Sequence, residues 1–226
     1  MAPKVATKSS DPSILETLTI YSNVNPSDTV SLADGILELN YIESIMNDTI
    51  KVNLSFVDTG ASINDKTVIE GLPLVGQEKV VLKFRDNNKN VLGDKPELVL
   101  YVNKITPAAD KSQKSVVGLE LVSKEYILNE KIRVTKRMDG KVSDHIRTIL
   151  TSQDYLKTEK KVDIEDTINN FNFFGNNKKS FYTINWLSKK GVSAKSQKLG
   201  TSAGYFFYET SEGFFFKSID SLLDQE

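Results

Sequence analysis

The sequence predicts an α+β protein that is mainly β, with an N-terminal antiparallel β-barrel-like domain followed by a smaller α+β domain. Three observations carry this expectation. Apolar residues return with period two from residue 15 to about residue 121, as strands with one buried face require. Breaks rich in Asn, Asp and Gly punctuate that stretch at strand-like intervals. After residue 130 the spacing becomes helical, with Ile146, Ile149 and Leu150 on one face. The expected division is a flexible N-terminal arm at 1–14, the β-domain at 15–124 and the α+β domain at 125–226, joined near residues 124–131.

The first strand is expected at residues 15–22. Ile50, Val52, Leu54 and Phe56 alternate with Lys51, Asn53 and Ser55, so the first set should face a core and the second water. Asn47 and Asp48 form the preceding turn, which makes Leu37, Leu39 and Tyr41 the antiparallel partner of a hairpin. Further strands are expected at 78–84, 98–105 and 116–123, with a surface loop at 86–94. About six strands at this spacing suggest a barrel or sandwich. Residues 98–101 are apolar throughout, so that strand should be covered on both faces, either as a buried central strand or at a subunit interface.

In the second half, Ser143 is placed to cap a helix, with Val142 folding back as a hydrophobic staple on Ile146. A second helix is expected from Tyr182 or Thr183, burying Ile184 and Leu187, with Trp186 nearby. Residues 159–166 read as a charged, exposed run and 189–202 as a loop. Residues 205–209 and 214–218 read as an aromatic hairpin, since Gly213 can take the positive backbone angle that its turn needs. Phe206 and Phe207 point to opposite faces, as do Phe214 and Phe215, so a helix or another chain must cover at least one face.

Apolar residues at 39% and charged residues at 26% of 226 put the chain among folding sequences rather than disordered ones. Without cysteine there is no disulfide framework, thiolate metal site or cysteine nucleophile. No apolar run approaches the roughly 18 residues of a membrane span, and residues 1–10 lack a secretory signal. With 29 basic and 30 acidic residues, the net charge of −1 gives no general attraction to nucleic acid or anionic membranes.

Candidate chemistry is sparse. The single histidine, His145, falls short of the two or three imidazoles usual at zinc, and a Ser-His-Asp relay would rest wholly on it; it reads as a partly exposed helix residue. Asp163, Glu165 and Asp166 lack the spacing of a calcium loop and read as a solvated run. Gly175, Lys179 and Ser180 match only part of a phosphate-binding loop and read as a turn before a helix. Asn47-Asp48-Thr49 and Asn53-Leu54-Ser55 match the glycosylation triplet by coincidence. No residue is assigned a catalytic, cofactor-binding or metal-binding role, and the chain is expected not to be an enzyme.

Several strings together resemble the central hub protein of contractile-tailed phage baseplates, the myovirus tail hub or tube-adaptor family. Gly71-Leu72-Pro73-Leu74-Val75-Gly76 and the strand after it resemble the family's first tube domain. Leu121-Val122-Ser123-Lys124-Glu125, Arg133-Val134-Thr135-Lys136-Arg137, Gly140 and the helix to Leu150 resemble its entry into the second domain. The stretches 181–187, 203–210 and 213–222 resemble that domain's closing helix and hairpin. None of these strings is a catalytic signature.

The resemblance implies a homotrimeric ring of the virion tail baseplate, assembled in the host cytoplasm. Such a ring caps the tail tube, receives the central spike and contacts baseplate wedge proteins. Viral DNA passes its lumen without specific binding. Family members carry two tube-like β-domains per subunit and this chain carries one, so it reads as a truncated hub, a split gene or a shorter relative. Two alternatives from the residues are a carbohydrate- or receptor-binding β-module of a phage tail, motivated by the aromatic hairpin, and a hydrolase built on His145.

Overall fold

The computed structural model describes residues 14–58, 60, 66–85, 97–111, 114–194 and 204–224. The expected N-terminal arm and the loop at 86–94 lie outside the described residues, apart from Ile14, as does most of the loop at 189–202.

Seven strands form the first unit: β1 (Ile14–Tyr21), β2 (Thr29–Ser31), β3 (Ile36–Ile42), β4 (Lys51–Asp58), β5 (Lys79–Arg85), β6 (Leu98–Lys111) and β7 (Lys114–Val122). They make one antiparallel sheet in the order β2-β1-β5-β6-β7-β4-β3, curled into a half-barrel. Alternation decides which side chains fill it. Ile50, Val52, Leu54 and Phe56 are at most 3% exposed and meet Leu18, Ile20, Leu82, Leu100, Leu119 and Leu121 in one cluster. A short helix, α1 (Val68–Gly71), adds Val68, followed by Leu72 and Leu74, to the same cluster. Thr67 caps it by accepting a hydrogen bond from the Glu70 amide at 3.2 Å.

The β3–β4 hairpin forms as its alternation requires, except at Leu37. The register runs Leu39 opposite Leu54 and Tyr41 opposite Val52, but a bulge falls between Ile36 and Glu38. The extra residue, Leu37, is turned outward and 58% exposed. At β6, the middle strand of the sheet, Leu100 is buried while Val99 is 40% exposed, so the chain by itself covers only one face there. β2 went unforeseen because three residues are too few to show a period.

The second unit begins one residue after β7. Residues 124–131, expected as a joint, form α2 (Lys124–Lys131). Its apolar residues Tyr126, Ile127 and Leu128 are consecutive rather than helically spaced, which hid it. Then follow β8 (Arg133–Val134), β9 (Arg137–Met138), α3 (Val142–Thr151), β10 (Lys161–Ile164), β11 (Phe173–Phe174), β12 (Lys178–Lys179), α4 (Ser180–Ser188), β13 (Tyr205–Thr210), β14 (Gly213–Ser218) and α5 (Ile219–Leu223). β13 and β14 form the expected hairpin, and β10 joins β14 in parallel to complete a three-stranded sheet. Gly213 adopts φ +146°, and a Cβ there would overlap the Lys161 carbonyl oxygen, so both the turn and the β10 contact select glycine.

Helices α3 and α4 pack on this sheet through a second cluster that includes Ile146, Ile149, Leu150, Phe181, Ile184, Leu187, Phe207, Phe214 and Phe216. Ser143 does not cap α3. The helix starts at Val142, and buried Ser143 instead exchanges hydrogen bonds with Thr167: its amide donates to Thr167 Oγ1 at 3.1 Å and its hydroxyl accepts from the Thr167 amide at 3.3 Å. The α4 helix starts at Ser180, two residues before its earliest expected start, so that Phe181 joins the core.

The face assignment is testable by urea unfolding. Phe56→Ala should lower stability by about 3–5 kcal/mol through cavity formation. Leu37→Ala, on the adjacent strand but at the bulge, should change it by less than about 0.5 kcal/mol.

Candidate functional site

The residues singled out for chemistry are dispersed and engaged in structure. His145 is 3% exposed, not partly exposed as expected. Its Nε2 donates to the Phe171 carbonyl at 2.9 Å, and the edge of its ring system meets Phe173 at 5.4 Å between centroids. These partners are a backbone acceptor and a phenyl ring, neither a nucleophile. The run at 159–166 is not uniformly solvated either. Glu165 is 5% exposed and accepts from the Ser193 hydroxyl at 2.5 Å and from the Ser218 amide at 2.8 Å, holding the end of β14. Asp163 pairs with Lys217 at 2.6 Å across the sheet, while Asp166 is exposed. Among the described residues no group of three or more His, Asp or Glu is placed to hold a metal ion. Lys179 pairs with Glu130, and Gly175 allows the β11–β12 turn to lie against the Val134 carbonyl.

Two arrangements among the described residues stand apart from these. One is the seam between the two cores. Glu209, on the inward face of β13, is 1% exposed. Its Oε2 accepts from the Ile50 amide at 3.0 Å and from the Ser123 hydroxyl at 2.6 Å, both in the half-barrel unit. Its Oε1 receives Lys160, which also pairs at 3.1 Å with buried Glu125 of α2. Glu125 accepts from Thr158 Oγ1 at 2.6 Å as well. Burial pushes the Glu209 carboxyl above its ordinary range, only partly offset by Lys160 and Ser123. Burial works against the Lys160 charge too, but Glu209 and Glu125 outweigh it and hold the ammonium above its usual value. Around the rim, Asn185 donates to Asp48 at 2.7 Å, Lys131 donates to Gln77 at 3.0 Å, and the Ser211 amide donates to Glu43. A cleft of about 220 Å³ opens beside the cluster, lined in part by Val99, Leu100, Ser123, Glu209 and Glu212.

The other arrangement is a set of exposed rings. Phe173 turns inward against Phe171 and Trp186, whereas Phe174, its neighbour on β11, is 64% exposed. Tyr182 and Trp186 lie one helical turn apart on α4, 57% and 36% exposed. The hairpin aromatics behave differently. Tyr205, Phe207, Phe214 and Phe216 are buried, and α4 covers their face through Phe181, whose ring lies 5.5 Å from that of Phe207. From the sequence, two stretches of aromatic residues with nearby lysines, 171–181 and 205–216, could stack on bases or sugars; the first contains Phe174, but nothing in it joined Phe174 to Tyr182 and Trp186. The i,i+4 spacing of Tyr182 and Trp186 on α4 was the signal that could have paired those two rings.

No protein-family model matches the chain, and no curated protein matches it significantly. Solved structures do match in fold. The 43 kDa tail protein of prophage MuSo2 from Shewanella oneidensis gives a TM-score of 0.56 at 9% identity, over 89% of this chain and 53% of its own. Prophage tail protein gp18 from Listeria monocytogenes EGD-e gives 0.50 at 10% identity, over 90% and 51%. A chain of the half-lidded Francisella PdpA-VgrG complex gives 0.52 at 11% identity, over 93% and 32%. This chain thus has the mainly β fold found in phage tail proteins, and spans about half the length of the two prophage proteins it matches.

Glu209→Ala should destabilise the chain by about 3 kcal/mol in urea unfolding, because it strips the Ile50 amide of its acceptor and leaves Lys160 with Glu125 alone. The pH dependence has a definite sign. A carboxyl raised in the fold contributes most below its ordinary value of 4.5 and loses that contribution as pH rises through the raised value. The deficit of Glu209→Gln relative to the parent should therefore narrow as pH is increased from 4.5 towards neutrality. A widening deficit would show that the charge, not its burial, dominates.

Proposed function

We propose that this chain is a structural protein of a phage tail and acts as a hub-like component of the baseplate. In this reading it joins the tail tube to the central spike and contributes to the DNA conduit. The observation that carries the proposal is the curled seven-stranded sheet whose end strands, β2 and β3, each pair with one strand only among the described residues, in a chain whose fold is that of phage tail proteins. An open sheet presents unpaired backbone donors and acceptors along β2 and β3, which adjoining strands of other subunits satisfy. Copies of the chain associate through those edges, and three of them make the ring. The 15–124 and 125–226 segments act as two domains, the first forming wall and the second bracing it.

Other proposed contacts are the tail tube protein, the central spike protein and baseplate wedge proteins, within the tail baseplate of a contractile-tailed virion assembled in the host cytoplasm. The role requires rigidity and interfaces rather than a reaction centre. A net charge of −1 suits a conduit, since extensive phosphate neutralisation would retard DNA. Glycan recognition by the hairpin finds little support, because the inward rings of that hairpin are spent on the second core.

Negative-stain imaging and native mass measurement of the chain, alone and co-expressed with tube and spike proteins from the same genome, test this reading. Rings with the mass of three copies, bound to tube or spike, are expected. Leu37→Lys, which puts a charge on the exposed β3 edge, should shift rings to monomers without changing the melting temperature. Monomers only, with neither partner bound, would refute the hub assignment.

A further inference from the structure

The exposed rings of the second unit play no part in the seam or in the sheet edges. Phe174, Tyr182 and Trp186 surround a groove of about 140 Å³ whose lining also includes Phe173, Asn176 and Lys178. The groove is preformed. Trp186 is held edge-on to Phe171 at 5.2 Å and to Phe173 at 5.4 Å, so little side-chain freedom remains to be lost on binding. Rigid, half-buried aromatic rings are the side chains that most often dominate protein interfaces.

Two features select the occupant. The first is charge. The lining holds a lysine and no carboxylate. Neighbouring cations are already matched, Lys179 with Glu130, Lys136 with Asp154 and Arg137 with Asp139, while Lys178 has no acidic partner among the described residues. The second is that one face of each outer ring is taken: the Lys178 ammonium lies 5.6 Å from the centre of Tyr182, and the Arg137 guanidinium 5.4 Å from that of Phe174. A neutral sugar stacking on those faces must displace a cation. A carboxylate instead binds to the cation where it stands, leaving the ring edges and Trp186 to contact apolar groups.

We propose that this groove docks an acidic, proline-containing extended segment of a partner protein, its apolar side chains lying among Phe174, Tyr182 and Trp186 and a carboxylate pairing with Lys178. Grooves lined by aromatic rings are the surfaces that take proline-containing extended segments. Proline holds such a segment extended before binding, which lowers the ordering cost.

Trp186 is the only tryptophan in the chain, so its emission reports directly on the groove. The full chain is titrated with a synthetic peptide of repeating proline, leucine and glutamate. The emission should shift and saturate, and the binding should weaken as salt is raised. Affinity should fall about tenfold or more in Tyr182→Ala and in Lys178→Glu, both exposed positions at which the melting temperature should hold. The matching peptide with lysine in place of glutamate should bind poorly to the parent and better to Lys178→Glu. The proposal is overturned by no response to the acidic peptide, by equal responses to the acidic and basic peptides, or by a saturable response to a neutral hexasaccharide that survives Lys178→Glu.

Discussion

A buried carboxylate ties the two hydrophobic cores to one another. Glu209 reaches out of the second core to the Ile50 amide and the Ser123 hydroxyl, at the start of β4 and the end of β7. Those strands are neighbours in the sheet, so a single side chain grips two adjacent strands of the half-barrel at the same end. Lys160 balances the charge and is shared with Glu125 of α2, which extends the hold to the helix that connects the units. An ion buried this way contributes little net stability compared with an apolar pair, but only one relative placement of the parts satisfies all its partners. The seam is therefore a device for fixing orientation, with the two apolar clusters supplying most of the folding free energy.

The same use of acids recurs within each unit. Asp58 accepts from the Val68 amide at 2.6 Å and from Gly60 at 3.0 Å, which fixes the approach to α1. Glu78, fully buried, accepts from the amides of Val75 at 2.7 Å and Gly76 at 2.9 Å and fixes the turn before β5. Glu165 does likewise for Ser218. In the first two cases a loop with no strand to pair with finds its acceptor in a carboxylate, and in the third the carboxylate holds the last residue of a strand. Side chains that a reader of the sequence would reserve for catalysis or metal binding are consumed in holding backbone.

A molecule arranged this way has its unused binding capacity on its outside. The half-barrel ends in two strand edges, Val99 lies open at the cleft beside the seam, and three aromatic rings stand clear of the second core. An interior whose acids are spent on holding backbone leaves these surfaces as the places for a partner to pair or pack.

Local periodicity made much of the fold legible. The inward set Ile50, Val52, Leu54 and Phe56, the β3–β4 hairpin, the buried faces of α3 and α4 and the glycine turn at Gly213 all follow from spacing within a dozen residues. Elements shorter than a period, such as β2, and the helix α2 with its consecutive apolar residues carried no such signal. Nor did the sites. Glu209 meets a partner 159 residues away, and Phe174 joins Tyr182 and Trp186 only because β11 and α4 are folded against each other. The sequence by itself determined which faces are apolar, since side-chain direction repeats locally along a strand or helix. Tertiary structure alone decided which acids are buried and which rings are left outside, because burial depends on what the rest of the chain brings to the other side.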